Sequence, residues 1–208
     1  MRGAPGNVPP SDLSRPVQDG ALPDDPFALL REWAPSNDDP VRPTATLATV
    51  DADGLPDART VLLSAVGQEG VSFHTDARSR KAAQLAETPA AALVVRWEDA
   101  ARQIVLRGVV DRSAARDVRD VYARRGRYLQ VLAWVNTSDV AAMPRAERET
   151  LWAEFDAAHD ELRAPDEWIG FVLRPNEALF WEGSAHAPSR RARYRRSAEG
   201  WVLDYLPG

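Results

Sequence analysis

The stretch Phe73-His74-Thr75-Asp76-Ala77-Arg78-Ser79-Arg80-Lys81 sets hydroxyls, two adjacent cations and a helix start within a few residues. It reads as a strand end, a short loop, and a helix that Ser79 caps and that must stop before Pro89. A helix N-terminus carries roughly +0.5 of an elementary charge, so its first turn usually takes Asp or Glu. Here it takes Arg80 and Lys81, the latter the only lysine in the chain. Two cations repel a positive helix end unless an anion joins them. A phosphate would satisfy the free N–H groups, the dipole and both side chains together. The alternative is a solvated surface pair on a tolerant helix. Arg59, Gln103, Trp181 and Arg191 are the other cationic, amide and aromatic positions suited to holding a ligand.

Composition narrows the chemistry. At 208 residues, 44% hydrophobic and 27% charged, the chain suits one globular domain with a real core. A net charge of -5 argues against a general nucleic-acid binder, so any basic site is local. Without cysteine there is no disulfide, thiolate metal site or cysteine nucleophile. The three histidines, His74, His159 and His186, are not paired at helical spacing, so no histidine metal site is expected. No apolar run is long enough to span a membrane, and no secretory h-region precedes the domain, so a cytoplasmic location is expected. Neither glycine-rich phosphate cradle is present, nor a G-x-S-x-G elbow.

The elements that must position these residues follow from pattern. Residues 1–22, rich in Pro, Gly, Ser and Asp, read as a disordered arm, leaving 23–208 as the domain. Asp25-Pro26-Phe27 starts a helix that presents Phe27, Leu30 and Trp33 on one side and ends at Pro35. Strands are expected at 44–50, 58–65, 71–75, 91–97 and 103–111, with turns at 51–54 and 67–70. A meander of about five strands interrupted by one helix favours a small antiparallel barrel, an α+β and mainly β fold, over a doubly wound sheet. Two helices should follow. Ser113 caps the first, which ends at Gly126; the second runs from 144 to 162 with Leu151, Phe155 and Leu162 inward. Strands return at 169–174, 178–181, 193–196 and 201–205. Alternation puts Arg59, Val61 and Leu63 on one strand face and Thr60, Leu62 and Ser64 on the other.

Several motifs recur together: Asp25-Pro26-Phe27, Arg59-Thr60-Val61-Leu62-Leu63, Phe73-His74-Thr75, Ser79-Arg80-Lys81, Arg102-Gln103, Ala133-Trp134-Val135 and Phe180-Trp181-Glu182-Gly183. In this order the chain resembles the pyridoxine (pyridoxamine) 5'-phosphate oxidases, from about Pro23 to the closing Trp201–Pro207 segment. The resemblance implies a split β-barrel that forms a homodimer, with one FMN in each of two clefts between subunits. It implies an FMN-dependent oxidase: the flavin takes a hydride from a small-molecule substrate and passes electrons to oxygen, with no metal. By position it assigns flavin and phosphate contacts to Arg59, Thr60, Val61, Leu62, Leu63, Ser64 and His74. Thr75, Arg80 and Lys81 should hold the phosphate, Gln103 the ring, and Ser138, Trp181 and Arg191 the remainder of the site.

Departures from the family pattern concentrate at the substrate. Two departures touch the FMN site itself: the family's tyrosine before the threonine is His74, and its Gln-Ser pair falls on Ser138-Asp139; the others lie on the substrate side. Its phosphate-holding lysine is Ser64, its helix tyrosine is Val121, and the serine before Gln130 is Leu129. The arginine and histidine of a late segment become Ala187 and Ser189, while Arg125 and Arg191 are kept. Substrate contacts are expected from Ser64, Arg125, His186 and Ser189. Each lost charge-assisted phosphate contact removes about 1.5–3 kcal/mol. The expected substrate is therefore less phosphate-like and more apolar than the vitamin: a reduced phenazine-type or other heterocyclic intermediate of specialised metabolism. The phenazine branch of the family also looks to have serine at the Ser64 position, although it keeps the late histidine segment. Two alternatives stand beside this. One is a genuine vitamin oxidase in which Arg190, Arg193 or Arg195 replaces the lost cations. The other is a non-catalytic binder of flavin or a haem-like ligand.

Overall fold

The protein is described by a computed structural model covering residues 22–39, 41–68 and 70–208. The expected N-terminal arm lies outside the described residues except for Leu22, which packs into the core. Strand alternation builds that core. Leu47, Leu63, Phe73, Leu93, Val95, Ile104, Leu106 and Leu173 all point inward and are fully buried. They come from β1 (Thr44–Val50), β2 (Pro56–Val66), β3 (Val71–Asp76), β4 (Ala90–Trp97), β5 (Arg102–Arg112) and β6 (Trp168–Glu182). Among the described residues these join β7 (Arg190–Ser197) and β8 (Gly200–Pro207) in one antiparallel sheet, ordered β3-β2-β1-β4-β5-β6-β7-β8. Pairing of β3 with β6 closes the first six strands into the expected barrel. Helix α1 (Pro26–Trp33), capped by Asp25 through the Phe27 N–H, packs Trp33 edge-on to Phe180 with ring centres 5.3 Å apart.

Two expectations need correction. The strands expected at 169–174 and 178–181 are one strand, β6. Pro175 and Asn176 look like a break, but a bulge opposite Arg107 and Gly108 absorbs them without ending the ladder. Gly108 is what permits this: a Cβ there would lie 2.0 Å from the Arg174 carbonyl oxygen and 2.6 Å from the Pro175 Cα. Gly108→Ala is expected to cost about 3 kcal/mol through this overpacking, read by urea denaturation. A variant as stable as wild type would show that the bulge can move.

The other correction concerns the helices. Two were expected after β5; the structure has α3 (Ala115–Ala123), α4 (Arg127–Val135), α5 (Ser138–Ala141) and α6 (Arg145–Ala158). Gly126 does not merely end a helix but serves as the N-cap of α4. Ser113 is one residue short of the α3 cap, Ala114, and its N–H bonds to the Gly170 carbonyl instead. Helix α6 stops before 162 and buries no residue. It leans on α4 through Trp134–Phe155 and Tyr128–Trp152 ring contacts. Arg127 closes its C-terminal end, with Nε 2.6 Å from Asp156 Oδ1 and further donation to the Asp156 and His159 carbonyls. Leu162 lies beyond the helix, against the cluster of Val118, Tyr122 and Trp168.

Candidate active site

A cleft of about 540 Å³ opens where the outer faces of β2 and β3 meet the start of α2 (Arg80–Glu87), α4 and α5. The expected alternation along β2 holds: Val61 and Leu63 are buried, while Thr60 and Leu62 line the cleft. Of the residues expected at the cofactor, Thr60, Val61, Leu62, His74, Thr75, Lys81 and Ser138 come together here, with Arg125 from the substrate set. Leu63 points into the core and gives the cleft no side chain.

The cationic helix start divides in two. Lys81 is half-buried and donates to Thr75 Oγ1 at 3.0 Å; burial, then Arg59, lowers its pKa. Ser79 sits at the N-cap, yet its side chain makes no cap bond and lies 3.2 Å from Thr75 Oγ1. The first turn of α2 thus offers uncapped N–H groups beside an ammonium and two hydroxyls, a donor set suited to a phosphate. Arg80 turns the other way, with Nε 3.3 Å from Asp57 Oδ2 and a terminal nitrogen 3.6 Å from Asp51 Oδ2. The anion that this helix end calls for is supplied to Arg80 by the chain's own carboxylates.

Arg59 is likewise drawn away from the cleft. It bonds Asp57 at 2.7 Å and Gln84 Oε1 at 2.8 Å, and also donates to Thr49. Gln84 is buried, accepts from Thr49 at 2.6 Å and donates to Asp57 at 3.1 Å. The bond from Gln84, then Arg59 and Arg80, holds the Asp57 carboxyl below its usual range against a partial desolvation cost. Sequence reasoning missed Gln84; its place one helical turn after Arg80 was the available signal.

At the other end of the cleft, Ser64 is buried and its Oγ lies 2.8 Å from His74 Nδ1. The same oxygen accepts from Arg125 at 3.2 Å. His74 stacks on Trp168 with ring centres 4.5 Å apart, and the Arg125 guanidinium lies over the same indole at 4.8 Å. Burial, then Arg125, pushes the His74 pKa down to about 3, so the imidazole is neutral at ordinary pH. Burial pulls Arg125 down to about 10, still charged, and among the described residues no carboxylate pairs with it. Leu129, Leu132 and Ala133 of α4 complete an apolar wall.

The remaining expected residues do not reach the cleft within one chain. Gln103, Trp181 and Arg191 occupy adjoining register positions on β5, β6 and β7. Thr75 pairs with Ile169 of β6, and Trp181 lies much farther along that strand, roughly 40 Å of contour away. His186 is on an exposed loop, its N–H bonded to Ser184 Oγ, and Ser189 lies against Gly208. Neither lines the cleft.

The family model for pyridoxamine 5'-phosphate oxidase matches residues 40–160, more than half of the chain. A pyridoxine/pyridoxamine 5'-phosphate oxidase of Salinibacter ruber is 38% identical over 88% of this chain and 89% of its own length. The chain belongs to the pyridoxamine 5'-phosphate oxidase family. Another member, from Aeromonas hydrophila and bearing the same name, is 34% identical over 94% of this chain and 98% of its own. Among solved structures, PhzG from Burkholderia lata, in complex with tetrahydrophenazine-1-carboxylic acid, superposes with a TM-score of 0.74 at 25% identity. That match covers 89% of this chain and 94% of the other. A related FMN-binding protein of Nostoc punctiforme shares the fold, with a TM-score of 0.56 at 20% identity over 79% of this chain and 88% of its own. The family fold is the FMN-binding split barrel, as the family resemblance implied.

Proposed function

We propose that this family member is an FMN-dependent oxidase acting on a non-vitamin substrate of specialised metabolism. That substrate is a reduced, planar, largely apolar heterocycle bearing one carboxylate, of the phenazine type. Bound FMN supplies the hydride acceptor and the path of the electron pair to oxygen. Lys81, Thr75, Ser79 and the uncapped start of α2 would hold its phosphate, and Thr60 and Leu62 would line the space for its ring. Asp139 lines the cleft beside Ser138, and its negative charge would favour a phosphate at the α2 wall over one against α5.

The observation that carries the substrate class is the isolated charge of Arg125. Among the described residues it is the one cation at that end, without a carboxylate, between the Trp168 face and the apolar wall of α4. One guanidinium matches one carboxylate, whereas a phosphate dianion calls for a fuller set of donors. The PhzG likeness supports this direction. The names of the curated relatives favour the alternative, a vitamin phosphate oxidase. The arginine run that would have to restore phosphate binding is largely engaged: Arg193 and Arg195 share Asp204, and Arg190 and Arg196 lie on Tyr205 and Trp201.

The proposed unit is a homodimer. Thr60, Leu62, Gln103, Trp181 and Arg191 belong to one outer sheet face, and Thr46, Val94, Val105 and Leu179 occupy linked register positions between them. A two-fold partner laid on that face would bring one protomer's Gln103–Trp181–Arg191 row to the other's cleft. A cytoplasmic location belongs to the same proposal; among the described residues no helix is long and apolar enough to cross a membrane.

Oxygen uptake by the FMN-loaded protein tests the function. Tetrahydrophenazine-1-carboxylic acid is expected to be oxidised with kcat/KM at least about tenfold above that for pyridoxamine 5'-phosphate. The reverse order would establish the vitamin oxidase. A flavin that re-oxidises in air yet takes electrons from neither compound would favour a binding protein.

A further inference from the structure

Arg125 has two contacts that orient its guanidinium, the Ser64 hydroxyl and the Trp168 ring, and both rest on one residue. His74 Nδ1 bonds the same Ser64 oxygen at 2.8 Å, and the imidazole stacks on the same indole at an interplanar angle of 15°. The ring has little freedom of its own. It is 9% exposed, and its Nε2 edge faces Gly170, where a Cβ would come within 2.8 Å. We infer that His74 is a positioning residue for substrate recognition: it holds Ser64 and Trp168 so that the Arg125 charge faces the cleft in one orientation, and it thereby selects a flat carboxylate. This rests on the reading of Arg125 as the contact for the substrate anion.

The physical argument is one of preorganisation. An arginine side chain has many rotamers, and fixing one on binding is costly unless the protein has already done so. A carboxylate at this position would neutralise the guanidinium, and a second cation would repel it; a neutral imidazole orients it and leaves the charge for the ligand. The Arg125 side chain also needs a flat support, and the imidazole stacked on the same indole helps to hold that support in place. The departure of position 74 from the family's tyrosine thus falls at the substrate end of the cleft.

The test uses FMN-loaded protein and two probes of equal shape, 1-naphthoate and its uncharged amide 1-naphthamide, titrated by the change in flavin absorbance. Wild type should prefer the naphthoate, and Arg125→Met should abolish that preference. His74→Phe keeps the stack but loses the Ser64 bond; it should weaken naphthoate about tenfold and leave naphthamide unchanged. His74→Asn, whose amide can stand where Nδ1 stood, should recover most of the loss. If Arg125→Met lowers naphthoate affinity but His74→Phe does not, the positioning role is overturned while the carboxylate reading stands. If His74→Phe weakens both probes equally, its effect is general damage to the pocket and the inference fails. If wild type does not distinguish the probes, or Arg125→Met changes nothing, the carboxylate reading falls and the inference with it.

Discussion

Lys81→Ala is expected to weaken FMN binding roughly ten- to a hundredfold, the equivalent of losing one charge-assisted phosphate contact of about 1.5–3 kcal/mol. Lys81 is half-buried, and its ammonium stands beside Thr75 Oγ1 and the uncapped start of α2. A cation so placed is screened less than a surface one. Arg80→Ala is expected to change affinity only about threefold, because that side chain is 71% exposed and already faces Asp57 and Asp51. Quenching of flavin fluorescence on titration gives both constants, and circular dichroism shows whether the barrel persists. The loss in Lys81→Ala should shrink as salt is raised, since the wild-type contact is partly ionic. Equal losses in the two variants, or undiminished binding without Lys81, would place the phosphate elsewhere.

The second large effect is on stability in mild acid. His74 has an ordinary value of 6.5 and a folded value of about 3. Between these limits the unfolded chain binds a proton that the folded chain refuses, so stability falls as pH drops below 6.5. Each pH unit in that window is worth about 1.4 kcal/mol, so about 2–3 kcal/mol should be gone by pH 4.5. Carboxylates held low in the fold, such as Asp57 and Asp76, act differently. Their stabilisation is lost only as pH falls below the ordinary carboxylate value of 3.8 and through their lower folded values. His159 and His186 are both exposed. Urea denaturation of wild type and His74→Phe between pH 7 and 4.5 should therefore give curves that converge as the pH falls. Parallel curves would mean that His74 takes up its proton without resistance from the fold.

Much of the barrel was legible in the linear pattern because strand alternation is local. The Thr44–Val50 strand was read to the residue, and the faces of β2 came out correctly. Helix α4 was missed because Val131, Trp134 and Val135 suit a strand as well as a helix, and its start relies on Gly126. The continuity of β6 was hidden for a related reason. Proline in a strand is normally a break, and here a bulge facing a glycine more than sixty residues away accommodates it.

Residue types and spacing were enough to suggest an anion-seeking helix start and a barrel; the expectation of a substrate end with few phosphate contacts came from the family resemblance. They could not say which cation is available. Arg59 and Arg80 are committed to Asp57, while Lys81, next in the chain, faces the cleft. That division depends on how the hairpin carrying Asp51 and Asp57 packs against α2, a contact between distant segments. Nor could spacing show that Ser64, His74, Trp168 and Arg125 form one cluster, since three strands and the link between α3 and α4 must converge before its short-range contacts exist. Periodicity is a property of neighbours along the chain; charge pairing and burial belong to neighbours in space.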